Sequence, residues 1–138
     1  MSIFKIFDIT GSGMNAQMLR LNTVASNLAN SETMASQPED VYKSRHPVFE
    51  SIFNELSGDQ GTVGVRVKNI IESDAAPVAH YMPQHPKANA EGYVYSPGIN
   101  AVEQMADMIA ASRSYQSNVE VMTTSKELLL RTLQLGKG

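Results

Sequence analysis

The stretch "NAVEQMADMIAASRSYQSNVEVMTTSKELLLRTLQL", residues 100–135, runs without a single glycine or proline. Pro97-Gly98 closes the region before it, and Asn100 with Glu103 has the spacing of an N-cap and capping-box pair. The next glycine is Gly136. The spacing therefore predicts one helix of about 35 residues, ~53 Å long at 1.5 Å per residue. Along it Ala101, Met105, Met108, Ser112, Tyr115, Val119, Met122, Lys126, Leu129 and Leu133 recur at alternating steps of four and three. That is a coiled-coil seam, widened by Val102, Ala106, Ile109 and Leu130. A helix of this length cannot cover all its sides against the body of a 138-residue chain. The fold is thus decided by what else packs on this helix.

The first thirty residues carry a second seam. Phe4, Phe7, Met14, Met18, Leu21, Ala25 and Leu28 follow a seven-residue rhythm, with Gly11 at the skipped position. Gly11 and Gly13 each cost about 1 kcal/mol relative to alanine inside a helix, which predicts a kink or break near residues 11–13. Asn15, Asn22, Asn27 and Asn30 weaken it further, because asparagine competes for backbone hydrogen bonds. A helix with poor propensity and a good seam forms chiefly by packing on partners. Ala16, Ala25, Ser26 and Ala29 permit close helix approach, and Asn27 and Asn30 suit a buried join where polar contacts fix register.

Between these arms, residues 31–98 hold all six prolines. "TVGVRVKNII" (62–71) alternates as a strand, "EGYVYSP" (91–97) gives a second, and "VYKSRHPVFESIF" (41–53) a third, restricted to an edge by Pro47. "SGDQGT" (57–62) reads as a loop tip. The expected fold class is α+β, with long N- and C-terminal helices forming a coiled-coil-like arm and a small, irregular β-rich middle. The corresponding division is 1–30, 31–98 and 99–138.

Charge and composition narrow the function. The net charge is −3, with nine acids against five bases in residues 31–98, so there is no basic surface for nucleic acid. Cysteine is absent, which removes disulfides and thiolate metal sites. His46, His80 and His85 lie in proline-flanked segments without zinc-ligand spacing and read as solvent-facing or turn residues. No nucleophile motif or phosphate loop is present, since "GSG" (11–13) lacks the remaining glycine and lysine. The expectation is no enzyme, no cofactor, no metal and no small-molecule substrate. The apolar runs are too short to span a bilayer, and "MSIFKIFDIT" lacks the features of a cleaved signal peptide. The residues alone describe a polymer subunit or, as the alternative, a soluble helical adaptor or export chaperone that binds partner helices without polymerising.

A family resemblance separates these. "LNTVASNLANSET" (21–33) resembles the N-terminal signature of the bacterial flagellar rod and hook family, whose core reads N-L-A-N-x-x-T. Asn27, Leu28, Ala29, Asn30 and Thr33 match it, preceded by Arg20-Leu21 and Ala25. The C-terminal arm is similar to the same family's closing helix through Glu91-Gly92-Tyr93-Val94, Pro97, Met105, Met108, Arg113, Tyr115-Gln116, Asn118, Lys126, Leu133 and Leu135-Gly136. Most members place Gly-Tyr-Lys almost directly after the threonine. Here "MASQPEDV" (34–41) intervenes before Tyr42-Lys43, a departure similar to the family's proximal rod branch.

The resemblance implies a structural subunit of the hollow axial drive shaft, located in the periplasm and exported unfolded without a cleaved signal peptide through the flagellar export apparatus. Its implied partners are copies of itself, rod proteins of the FlgB, FlgF and FlgG types, and the proteins joining rod to membrane ring. The expected subunit interface comprises Leu21, Ala25, Asn27, Leu28, Asn30, Met105, Met108, Tyr115, Asn118, Val119, Met122, Leu129 and Leu133. Lys126 on the seam is expected to snorkel outward or meet an acid, and Arg113 and Glu120 to pair between subunits.

Overall fold

The computed structural model describes residues 3–53 and 62–136. Helix α1 spans Ile3–Asn30 and helix α2 spans Ala101–Leu135. Between them come a 3-10 turn, Pro38–Asp40, and four strands. Strand β1 (Arg45–Phe53) pairs antiparallel with β2 (Thr62–Glu72), and β3 (Val78–Tyr81) pairs antiparallel with β4 (Tyr93–Ser96). Two long helices with a small β-rich middle make this an α+β chain. The tip reading of residues 57–62 falls outside the described residues, apart from Thr62, which opens β2.

Asn100 caps α2 as its spacing predicted. Its side chain accepts from the backbone N–H groups of Val102 at 3.0 Å and Glu103 at 3.4 Å, satisfying two of the helix's orphan donors. At the far end of α1, the Ser31 hydroxyl donates to Leu28 O and that of Thr33 to Asn30 O. These side-chain bonds give the last carbonyls partners and let the chain turn out of the helix.

The break expected at residues 11–13 does not occur: α1 is unbroken from Ile3 to Asn30. Both glycines lie against α2. A Cβ at Gly13 would stand 3.1 Å from the Asn118 amide nitrogen, and one at Gly11 would stand 4.0 Å from Met122 Cε. Close packing of the second helix outweighs their weak propensity.

The helices run antiparallel, since Asn27 meets Gln104 while Gly13 meets Asn118. Extending that register sets Ile3 level with Leu128. The remaining residues of α2, about seven, overhang α1 by ~10 Å. The β1–β2 hairpin lies along the other side of α1. Arg45, at its start, bonds Asn27, and the Val65 N–H donates to Ser12 Oγ at 3.2 Å. Register shifts after Val48 and after Ile52 bend the ribbon.

Strand β3 was not foreseen. It lies between Pro77 and Pro83, and Gly92, at φ +83°, turns the chain back toward it under the Tyr81 ring. Tyr81 and Tyr93 meet edge-to-face at 5.3 Å across that pair. An isolated bridge between Ala35 and Tyr95 ties the segment after α1 to β4.

The core is thin. Among the described residues the buried apolar side chains are Ala16, Val24, Val41, Val94 and Ala111, and equally buried are the polar Thr10, Thr23, Asn27, Gln104 and Ser125. No described helix is long and apolar enough to cross a membrane.

Candidate assembly surface

The join between the helices is built from small and polar side chains. Thr10 and Thr23, both buried on α1, fold their hydroxyls back onto Ile6 O and Leu19 O at 2.7 and 2.8 Å, so their burial orphans no polar atom. Arg20 and Asp107 pair across it at 2.8 Å, each partly exposed. Ala111 and Ser125 are buried on α2, on the stripe that includes Gln104 and Asn118.

Asn27, near the end of α1, is the hub of polar contacts at that end of the join, with 0% exposure. Its Nδ2 donates to Arg45 O at 2.9 Å and to Gln104 Oε1 at 3.0 Å. Its Oδ1 accepts from Tyr42 OH at 3.0 Å and from the Arg45 N–H at 2.9 Å. Both amide hydrogens and both acceptor sites are used. One side chain thereby connects α1, α2, the Tyr42 loop and the start of β1. The Tyr42 hydroxyl also pairs with Ser26 Oγ at 3.1 Å.

The interface residues expected from the sequence divide into two groups. Asn27 serves its own chain, as does Asn30, whose amide donates to Ser26 O at 2.8 Å. Asn118 and Met122 lie beside Gly13 and Gly11 of α1, and Met108, Tyr115 and Leu129 are half-buried on the same stripe of α2. Leu21 and Leu28 are half-buried, while Ala25, Met105, Val119 and Leu133 are exposed.

Thus the buried stripe of α2 is offset by one residue from half of the apolar seam. Gln104, Ala111 and Ser125 are buried where Met105, Ser112 and Lys126 were favoured. Apolar spacing points to the most hydrophobic face, and here the intrachain face is the smaller and more polar one. Small or uncharged polar residues every seven positions (Gln104, Ala111, Asn118 and Ser125) were the signal that could have found it. The offset also resolves Lys126, which is exposed and off the join. Arg113 and Glu120 are exposed as well.

What the chain leaves uncovered is apolar. On α1 Phe4 is 70% exposed and Met18 about half. On α2 Val102, Met105, Ile109, Val119, Leu130 and Leu133 are exposed along one flank of the buried stripe, and Val121, Leu128 and Leu135 along the other. Scattered exposed leucines are ordinary, but apolar residues gathered on one flank, at Val102, Met105 and Ile109 and again at Leu130 and Leu133, mark an interaction surface.

The histidines take no part. His46 pairs with Ser44 Oγ, His80 with Ser96 Oγ, and His85 Nδ1 accepts from the Lys87 N–H. Among the described residues no three His, Asp or Glu side chains converge on a point that would hold a metal ion.

Two long helices pinned together by polar contacts, with much apolar surface left outward, define a structural assembly subunit. Residues 7–34 match the family model for flagella basal body rod proteins, and residues 90–135 match that for the C-terminal part of flagellar basal body rod FlgEFG proteins. The flagellar basal-body rod protein FlgC of Salmonella typhimurium is 42% identical over 137 residues, covering 99% of this chain and 100% of its own. That of Aquifex aeolicus is also 42% identical, covering 99% of both chains. That of Bacillus subtilis is 33% identical over 150 aligned positions, covering 99% of this chain and all of its own. The chain belongs to the FlgC family of flagellar basal-body rod proteins.

Proposed function

We propose that this chain is a structural subunit of the proximal rod of the flagellar basal body. Its terminal helices pack in coiled-coil fashion with those of neighbouring subunits into a hollow shaft that carries motor torque across the periplasm. The observation that carries this reading is the uncovered apolar flank of α2: its most buried positions are the small or polar Gln104, Ala111 and Ser125, while Met105, Ile109, Val119 and Leu133 face out. Repeated heterologous contacts that do not close build a tube from such a subunit. Torque is then borne by many packed side chains in parallel rather than by any single bond.

The partners under this reading are further copies and rod proteins of the FlgB, FlgF and FlgG types, with the ring junction at one end. The chain reaches them through the flagellar export apparatus without a cleaved signal peptide. Full-length likeness to rod proteins favours this over the adaptor reading. Cell fractionation tests it: the chain is expected in detergent-washed basal bodies, and its deletion is expected to abolish swimming. A wholly free cytoplasmic pool in a normally swimming strain would overturn it.

A further inference from the structure

Two features at opposite ends of the molecule are complementary. At one end α2 overhangs α1, and this overhang presents Leu133 and Leu135, the latter 84% exposed. At the other end, where α1 finishes and α2 starts, three loops enclose a cleft of about 340 Å³. Pro38, Tyr42, Ala76, Pro77, Pro97 and Ile99 supply its apolar lining, and clefts that take up apolar groups run roughly 300–1,000 Å³. Tyr42 is fixed there by Asn27, so the cleft is a preformed part of the fold.

Charge matches in the same sense. Glu39 and Asp74 stand at the cleft with Lys43 as the one base there, within a middle region carrying nine acids against five bases, so the rim is acidic on balance. Residues 121–138 carry Lys126, Arg131 and Lys137 against Glu127 alone. An apolar knob with basic flanks thus faces away from an apolar cleft with an acidic rim. Two copies satisfy both features only head to tail, which is a heterologous contact that leaves a free knob and a free cleft for the next copy.

We propose that the overhanging end of α2 in one copy seats Leu135 in the cleft of a second copy, with Arg131, one turn back on the same face, set against Glu39 and Asp74. This rests on the rod reading above and names the occupant of one of its surfaces.

A photo-crosslinking residue at position 135, in a chain that replaces the native one in cells, tests the contact directly. In isolated basal bodies the expected product is a dimer and higher ladder of this chain, joined to residues 38–44, 73–77 or 97–99. The same residue at position 76 tests the contact from the cleft side, with cross-links expected to α2 near its end. A second measurement uses charge: Arg131→Glu lowers incorporation ~tenfold or more, and Asp74→Arg in the same chain restores it. Cross-links from both positions to another protein, or to another surface of this chain, overturn the cleft contact and leave the rod reading intact. Normal incorporation of Arg131→Glu, or a loss that Asp74→Arg does not restore, does the same. Absence of even the unmodified chain from basal bodies overturns both.

Discussion

Asn27 and Gln104 stand 77 residues apart in sequence and 3.0 Å apart in space, amide to amide, at the end of the helix join where α1 finishes and α2 starts. Removing either partner leaves buried polar atoms unpaired. Asn27→Ala removes the partner of Arg45 N–H, Arg45 O and the Gln104 carbonyl together, and leaves the Tyr42 hydroxyl with Ser26 Oγ alone. The expected loss is about 2–4 kcal/mol of stability, read as a lowered melting temperature. Gln104→Ala should cost less, because Arg45 and Tyr42 keep their partner. In the double variant the losses should fall short of additive by about 1 kcal/mol, the signature of a direct contact. Additive losses would show that the two amides act separately.

The glycines give a prediction of opposite signs. At Gly64 a Cβ would stand 2.6 Å from Ser12 Oγ and 3.3 Å from Ser12 Cβ, on the helix that supports the hairpin. Gly64→Ala should push β2 off α1 and destabilise by about 1–3 kcal/mol. At Gly11 the nearest atom is Met122 Cε at 4.0 Å, an ordinary contact. Gly11→Ala should therefore stabilise α1 by about 0.5–1 kcal/mol. Thermal melts of the two variants decide, and a stable Gly64→Ala would contradict the hairpin's seat on Ser12.

Much of this organisation was legible in the sequence. The uninterrupted run after Asn100 gave α2 and its cap, and the alternation of Val63, Val65 and Val67 gave the course of β2. The N-L-A-N core and the closing helix gave the family. Strand β3 was not legible because four residues between prolines carry no periodicity to read. The true helix join was hidden for a different reason. Hydrophobic spacing finds the face that most needs covering, and in a polymer subunit neighbours cover that face. Asn27 looked like a contact for another subunit, yet Arg45 and Tyr42, distant in sequence, complete its bonds within the chain.

Substitutions on the two faces of α2 should separate folding from assembly. Leu133 is more than half exposed in the single chain, so Leu133→Asp should change monomer stability by no more than about 0.5 kcal/mol. In cells it should be made and exported yet absent from rods, leaving cells non-motile. Ala111, fully buried against α1, should behave in the reverse order. Ala111→Leu overpacks the helix join and should destabilise the isolated chain by about 1–3 kcal/mol. Melting curves and basal-body content of the two variants check this. Swimming Leu133→Asp cells would remove the assembly role of that face.

The thin core sets the behaviour of the chain before assembly. Its buried apolar side chains among the described residues are two alanines and three valines, too little to hold helices of 28 and 35 residues firmly. Such helices draw most of their stability from packed apolar faces, and here those faces await neighbours. A dilute monomer should therefore give a circular dichroism signal weaker than those two helices imply, rising on polymerisation. Limited proteolysis should cut first in the overhang past Leu128, where α1 no longer lies alongside, and next near Phe4. In intact rods both sites should be protected. A dilute monomer with full helical signal and a protease-resistant overhang would show that the helices hold on their own contacts, and that assembly adds no folding.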